Sequence, residues 1–317
     1  MRRLCTCHYD YNIKDFQQFH DEDTYVLDFI QLIVSGIANG CVYGLIALGF
    51  VLIYKATEAV NFAQGDFMML GAFLTVGFAN QQFFGLSFWL AVPLAIVVLA
   101  LISGAFDATV LRRMAGESQV SVVILTIALG FILRFAAGTI WGHEPVSLET
   151  PFAGADVRLG GVVLGVDEIA TILVTLLLTA LLYLFFSKTK LGLAMQAASQ
   201  NMLAAYYMGV PVKRVQTLVW MLSGAVAAVA GVLFAARGAI DPSAGLLGIK
   251  AFAAAAIGGF GSLPGAFVGG LIVGVIEPLA ARYGPAGVAQ IAPYAILLLV
   301  LAFKPGGLFS QTQAKKV

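Results

Sequence analysis

The sequence predicts an all-α polytopic membrane protein, and three observations support this fold class. Of the 317 residues, 60% are apolar and only 11% are charged, whereas a soluble domain has about 25% charged residues. Apolar runs of about 20 residues, the length that crosses a bilayer as a helix, recur from Leu27 to Phe303. The 35 glycines favour close helix packing and broken helices. A soluble fold of this size could not bury so many apolar segments.

Nine apolar segments are predicted to be helices, and they define a transmembrane domain at residues 27–310. The second, seventh and eighth are short or rich in glycine, which is typical of broken or re-entrant helices, so eight or nine crossings are expected. Residues 1–26 form a polar N-terminal extension without the apolar core of a signal peptide, and residues 311–317 form a tail. The nine segments are Phe29–Tyr54, Phe62–Phe78, Leu86–Leu111, Val120–Trp141, Ile169–Phe186, Val215–Ala236, Leu246–Phe260, Ala266–Leu279 and Val288–Phe303.

Basic residues in short loops predict the orientation, because Lys and Arg concentrate in cytoplasmic loops. Two arginines follow the third segment, four basic residues lie at 188–214, and three lysines follow the ninth segment. The loop at 142–168 holds a single basic residue. The C-terminus is therefore expected in the cytoplasm and the N-terminus outside, which requires an odd number of crossings and favours nine. Three basic residues among the first 14 argue against an outside N-terminus.

The cytoplasmic loop, residues 188–214, is predicted to contain one helix of about three turns. Gly209 followed by Pro211 ends it, because glycine suits the left-handed position after a helix and proline disfavours helix in the preceding residue. The helix either docks onto a cytoplasmic partner or rests on the bilayer surface. Its polar face lacks Lys and Arg, which favours docking. The apolar stripe consists of Ala198, Met202, Ala205, Tyr206 and Gly209.

The outside loop contains a second candidate interaction element. Two short apolar arms flank Gly160-Gly161 within Val157–Leu164, and two glycines suit a tight hairpin turn. The segment is therefore either a β-hairpin, which would present a rigid surface to an extracytoplasmic partner, or a disordered loop.

Two interrupted segments, Asn61–Phe73 and Ile249–Gly270, suggest a repeat of two halves and a transport pathway between them. Asp66 either lines a pathway or gate, or caps the N-terminus of a helix. Carbonyls unwound around Gly258–Gly265 would contact a substrate, or the glycines would simply permit close packing. The candidate pathway or gate residues are Asn61, Gln64, Asp66, Gly258, Gly259 and Gly261.

Other polar features bear on pairing and catalysis. Arg134 is placed either to pair with Glu277 across the bundle or to extend its guanidinium to the surface. The sequence contains no Walker A loop and no His-Glu-x-x-His motif. Cys5 and Cys7 lie near two histidines but without zinc spacing. Catalysis by this chain, a cofactor and a resident metal are therefore not expected.

Four segments carry a resemblance to a known family, namely Gly36–Gly71, Ala197–Arg214, Gly258–Gly270 and Lys304–Phe309. In this order and spacing they resemble LivH-type permeases of branched-chain amino acid ABC importers, and the resemblance covers roughly residues 28–310. Close relatives within this family handle urea, short amides or aromatic acids. An ion-coupled secondary transporter and a passive channel are the alternatives outside it.

The resemblance implies a multi-pass subunit of the bacterial inner membrane that forms a translocation pathway with a second permease subunit. Two cytoplasmic ABC ATPase subunits would hydrolyse ATP, a soluble extracytoplasmic binding protein would deliver substrate, and membrane lipid would surround the pair, with no role for nucleic acid. The helix in the cytoplasmic loop would be the coupling helix. Gln64, Gln196 and Met202 stand where many relatives have His, Arg and Pro. The ATPase-contact residues carried over are Ala198, Gln200, Asn201, Ala204, Ala205 and Gly209.

Overall fold

The computed structural model describes residues 13–81, 83–114, 117–152, 154–159, 162–200 and 202–309. Over these residues the chain is mostly helical, with one two-stranded sheet and short 3-10 helices at Leu111–Met114 and Pro242–Leu246. The predicted all-α polytopic class is confirmed. The described helices and strands are α1 Ile13–Thr57, α2 Gln64–Ala79, α3 Phe88–Thr109, α4 Gln119–Trp141, β1 Asp156–Leu159, β2 Val162–Gly165, α5 Val166–Lys188, α6 Lys190–Gln200, α7 Met202–Tyr207, α8 Val212–Arg237, α9 Leu247–Gly258, α10 Leu263–Tyr283 and α11 Val288–Phe303.

Each of the nine predicted apolar segments falls on one of the helices α1 to α5 and α8 to α11. Among the described residues, six helices are long and apolar enough to cross a membrane, namely α1, α3, α4, α5, α8 and α10. The other three apolar helices are shorter, with 16 residues in α2 and in α11 and 12 in α9. The chain is therefore a multi-pass membrane protein, and the number of nine crossings stays a prediction.

Helix α1 is the centre of the bundle. Its apolar part, Leu27–Thr57, is the most buried of the six long helices and packs against α8, α9 and α10. Glycines let α1 and α10 approach by their backbones. A Cβ atom built at Gly40 would lie 2.8 Å from the Cα of Leu271, and one at Gly36 would lie 2.9 Å from the Cα of Val275. Larger residues at these two positions would therefore push the helices apart.

Helices α3, α4 and α5 form the outer side of the bundle, and most of their surface is exposed. The exposed side chains are large and apolar, so this side suits contact with lipid chains. They include Leu90, Val97 and Leu101 on α3, Phe131 and Phe135 on α4, and Leu173, Leu177 and Leu181 on α5.

The outside loop contains the hairpin. Strands β1 and β2 pair antiparallel with Leu159 opposite Val162, so of the two sequence interpretations the structure has the β-hairpin. The turn residues Gly160 and Gly161 lie outside the described residues.

Near the N-terminus, α1 already begins at Ile13, within the predicted extension. Cys5, Cys7 and His8 lie outside the described part of the chain. The division of the chain at residue 26 stays a prediction.

Candidate functional site

Helix α2 begins inside the helix bundle, not where α1 ends. After α1 ends at Thr57, residues 58–63 return along α1. The side chain of Gln64 consequently lies against Gly49, about two helical turns before the end of α1. The side chains of Asn61 and Gln64 are fully buried, so hydrogen bonds within the protein must satisfy them.

These hydrogen bonds join α1, α2 and α8. Asn61 Nδ2 donates to Gln64 Oε1 at 3.3 Å, and Asn61 Oδ1 accepts from the Ala63 amide at 3.1 Å. The Ser223 hydroxyl lies 3.0 Å from Gln64 Oε1 and 3.1 Å from the Gly49 carbonyl oxygen, so it donates to one of the two. In this conformation Asn61 and Gln64 therefore belong to a closed polar junction between helices and do not line an open cavity.

The chain immediately before the second interrupted segment meets the first interrupted segment at this junction. The 3-10 helix at Pro242–Leu246 gives way to α9 at Leu247. A Cβ atom built at Gly65 would lie 2.6 Å from the Cα of Gly248, so the two backbones touch where α2 and α9 begin. In many transporters, helix breaks that meet in the membrane interior form the binding region.

A buried ion pair fixes the start of α2 to α4. Arg134 Nε donates to Asp66 Oδ1 at 2.5 Å, and Arg134 Nη2 donates to Oδ2 at 3.3 Å. Glycines at 130 and 245 surround the carboxylate, since a Cβ atom at either position would overlap it. Asp66 lies in the first turn of α2, where a negative charge suits the helix dipole, but the N-cap residue is Ala63 and α2 has no capping hydrogen bond from a side chain. However, the side chain is almost fully buried against Arg134, so it does not face an open pathway here.

The predicted alternatives for Arg134 are both wrong, because its guanidinium pairs with Asp66. Glu277 has a different cation. Lys250 Nζ lies 2.5 Å from Glu277 Oε1, and the Tyr43 hydroxyl donates to Glu277 Oε2 at 2.8 Å. This second cluster joins α9, α10 and α1, and Lys250 lies only two residues beyond the backbone contact of Gly248.

Lys250 lines a groove of about 790 Å³. The side chains of Lys250 and Glu277 keep 21% and 22% of their surface exposed, whereas that of Asp66 keeps 2%. Sequence reasoning did not single out Lys250, although a lone lysine in an apolar segment is the usual signal of a functional position. The groove is also lined by Phe234, Asp241, Ser243, Leu246, Ile249, Gln290, Ile291 and Tyr294.

The glycine-rich segment Gly258–Gly265 is a tight turn between α9 and α10. Gly259, the residue after α9, has a φ of +99°, which glycine adopts at little cost. The Ser262 side chain accepts from the Gly265 amide at 3.1 Å at the start of α10. A Cβ atom at Gly258 would lie 2.6 Å from the Ala266 nitrogen, whereas the space around Gly261 is open. For Gly258 the close-packing interpretation therefore describes the structure.

The cytoplasmic loop is helical on both sides of Asn201, as α6 and α7, and Asn201 itself lies outside the described residues. Helix already begins at Lys190, so the helical part of the loop is longer than the predicted three turns. The predicted end is right. Gly209 has a φ of +82°, and its amide donates to the Tyr206 carbonyl oxygen at 3.0 Å.

The predicted stripe of the cytoplasmic loop does not lie on one face. Ala198 and Ala205 are buried against the protein body, whereas Tyr206 and Gly209, which belong to the same predicted stripe, are exposed. Ala204, outside the stripe, is also exposed. Three exposed large side chains follow one another at the end of α7. We call residues 206–208 the α7 tip, where Tyr206, Tyr207 and Met208 are 67%, 83% and 85% exposed. The Gln200 side chain and all of Asn201 lie outside the described part of the chain.

Apolar spanning helices, a buried polar junction where α2 and α9 begin, and a lysine on an open groove are together typical of a membrane transport protein. Residues 32–301 match the family described as branched-chain amino acid transport system / permease component. The chain therefore belongs to this family, and the resemblance seen in the sequence is confirmed.

Individual relatives are similar in sequence to this chain over 75% to 92% of its length. The chain is 30% identical to the high-affinity branched-chain amino acid transport system permease protein BraD of Pseudomonas aeruginosa, over 92% of this chain and 99% of that protein. It is 31% identical to the corresponding protein LivH of Escherichia coli, over 92% and 98%. The probable branched-chain amino acid transport permease protein LivH of Methanocaldococcus jannaschii is 35% identical over 75% and 77%.

Proposed function

We propose that this chain is the permease subunit of an ABC importer and forms the translocation pathway for branched-chain amino acids. The observation that carries the proposal is the family match over residues 32–301. The chain is a multi-pass protein of the bacterial inner membrane with its C-terminus in the cytoplasm. Its partners are a second permease subunit, two cytoplasmic ABC ATPases and an extracytoplasmic binding protein. The ATPases hydrolyse ATP, and this chain uses no cofactor.

The α7 tip is the proposed contact with an ATPase, together with Ala204 and Gly209 beside it. Three exposed apolar side chains in a row are costly in water and are typical of a docking surface. Helix α6 connects this surface to the membrane domain, since it packs on α1, α5 and α8 and Met195 lies in the main core. Gln196 Nε2 donates to the Phe186 carbonyl oxygen at 2.9 Å. Movement of the ATPases can therefore pass through α6 to the centre of the bundle.

The proposed gate has two parts. Asn61, Gln64 and Asp66 hold the start of α2 to α1, α4 and α8, and Gly258, Gly259 and Gly261 lie at the opposite end of α9, at the turn into α10. ATP binding closes the ATPase pair and stabilises one of two permease conformations, so the difference in ATP affinity between them drives the change. The closed junction around Gln64 would rearrange in that change.

The outside loop is the proposed contact for the binding protein. The hairpin gives it a regular backbone, and the Val146 and Ile240 amides and carbonyls exchange two hydrogen bonds of 2.8 Å. Because Ile240 follows α8 directly, this pairing connects the outside loop to a helix that reaches the polar junction at Ser223.

Reconstitution tests the proposed function. The chain assembled in liposomes with its second permease, two ATPases and binding protein should take up leucine, isoleucine and valine only when ATP is present on the ATPase side. Urea, acetamide and benzoate serve as competitors that should not reduce leucine uptake. Uptake by this chain alone, driven by an ion gradient without ATPases, would contradict the proposal.

Topology reporters test the orientation. A periplasmic reporter fused after Phe152 should be active and a cytoplasmic reporter at the same position inactive. Fusions after Gln200 should give the opposite pattern, because the basic residues of the loop at 188–214 favour the cytoplasm. The reversed pattern at both positions would place the α7 tip outside and remove its proposed role.

A further inference from the structure

The groove beside α9 differs from the rest of the exposed membrane surface in its polarity. Helices α3, α4 and α5 expose large apolar side chains, as lipid requires. The groove instead brings together Asp241, Lys250, Gln290 and Tyr294. A charged residue in a membrane segment faces a water-filled cavity or a protein partner, because exposure to lipid chains is costly. Lys250 in this groove therefore suits contact with water or with a protein partner better than contact with lipid chains.

The pair of Lys250 and Glu277 differs from the pair of Arg134 and Asp66 in the accessibility of its carboxylate. The Asp66 side chain is only 2% exposed and is enclosed by neighbouring glycines, although the Arg134 side chain is 26% exposed. Lys250 and Glu277 each keep about a fifth of their side-chain surface exposed. Their opposite charges lie side by side, 2.5 Å apart. Both charged groups are therefore accessible to a zwitterion without a prior rearrangement of the Lys250 or Glu277 side chain.

We infer that Lys250 and Glu277 form a substrate contact on the translocation pathway, taking the carboxylate and the ammonium group of an α-amino acid, with the apolar wall of the groove taking its side chain. This rests on the proposed function. Lys250 supplies hydrogen-bond donors for the carboxylate, and Glu277 accepts from the ammonium group. Tyr43 keeps Glu277 in place through its 2.8 Å hydrogen bond. The wall consists of Phe234, Leu246, Leu247, Ile249 and Ile291.

A zwitterion suits this site better than a neutral solute. Its binding replaces the ion pair between Lys250 and Glu277 by two ion pairs, one between Lys250 and the substrate carboxylate and one between Glu277 and the substrate ammonium group. When the groove is empty, Lys250 and Glu277 neutralise each other, which keeps unpaired charge out of the membrane interior. When an amino acid is present, each charge gains a partner of opposite sign. The contact is therefore weak enough to release the substrate, as passage through a pathway requires.

The test is the double substitution Lys250→Met with Glu277→Gln in the reconstituted importer. It removes both charges together, so no charge is left unpaired, and the glutamine oxygen can still accept from Tyr43. Leucine uptake should fall at least about tenfold, the effect of losing charge-assisted hydrogen bonds. ATP hydrolysis stimulated by the loaded binding protein should continue, so that more ATP is hydrolysed per leucine transported.

Two results of that experiment would overturn the inference. Unchanged uptake would show that the charges are dispensable. An equal fall of uptake and ATP hydrolysis, or loss of the assembled complex, would assign the pair to the stability of the bundle. If the parent complex shows no ATP-dependent leucine uptake at all, the proposed function fails instead, so the two failures are distinguishable.

Cysteine labelling tests the groove without disturbing the pair. Ile249→Cys, at an exposed position of the apolar wall, should react with a membrane-impermeant thiosulfonate in the assembled complex. Leu177→Cys on the outer side of α5 is the matched control and should stay unlabelled, both measured relative to the parent chain. Both side chains are exposed in the isolated chain. Equal lack of labelling at the two positions would show that the groove faces lipid and would overturn the inference.

Discussion

Ala204→Glu is expected to abolish ATP-dependent leucine uptake while leaving the amount of protein in the membrane unchanged. Ala204 is exposed beside the α7 tip, so a larger side chain fits the isolated permease. In the assembled importer the glutamate would be buried against the ATPase without a partner, which costs free energy of association. Uptake and leucine-stimulated ATP hydrolysis should both fall at least about tenfold.

The matched control is Ala197→Glu. Ala197 is an exposed alanine in the same loop but lies on α6, away from the α7 tip. The same charge there should leave uptake close to that of the parent. Co-purification of the ATPases with each variant separates loss of docking from loss of transport after docking. Normal uptake with Ala204→Glu would exclude the α7 tip as the ATPase contact.

Arg134→Met is expected to destabilise the folded permease by about 3–5 kcal/mol, the cost of leaving one member of a buried ion pair without its partner. Methionine replaces the unbranched aliphatic stem of arginine, so the loss of the charged guanidinium and of its two hydrogen bonds to Asp66 is the main change. The glycines around the carboxylate leave it little room to turn toward water. The unfolding midpoint of the chain in detergent, measured with a thermal scan, reports the loss.

Two further variants identify the cause. Asp66→Asn added to Arg134→Met removes the unpaired charge at nearly constant volume and should restore more than half of the lost stability. Arg282→Ala removes an arginine from the exposed pair with Asp28, whose charged atoms are 4.0 Å apart, and should change stability by less than about 1 kcal/mol. An unchanged midpoint for Arg134→Met would show that the Asp66 carboxylate is not held by this ion pair.

The cytoplasmic loop shows which structural features the local sequence pattern predicts and which it does not. The end at Gly209 was predictable because a left-handed glycine followed by proline stops a helix whatever surrounds it. The start of helix at Lys190 and the burial of Ala198 and Ala205 were not predictable in this way. Alanine is compatible with either a buried or an exposed helical face, so only packing against α1, α5 and α8 decides which alanines face inward.

The pairing of charges depended even more on tertiary structure. Lys250 lies in a segment whose helical character was predicted, yet its partner Glu277 stands 27 residues away and Tyr43 stands 234 residues from Glu277. Arg134 reaches Asp66 across 68 residues. The membrane segments contain few charged residues, and the sequence alone is compatible with several ways of pairing them. The choice follows from which helices pack together.

The sequence by itself determined the class of protein, the location of all nine apolar helices and the membership of a permease family. Those features follow from the length of apolar runs and from motif order, which are local or linear properties. Only the tertiary structure decided that the outside loop contains a β-hairpin and that the start of α2 touches the start of α9 at Gly65 and Gly248. It also decided that Lys250, which lines an open groove, pairs with Glu277, because contacts between distant segments depend on how closely backbones can approach.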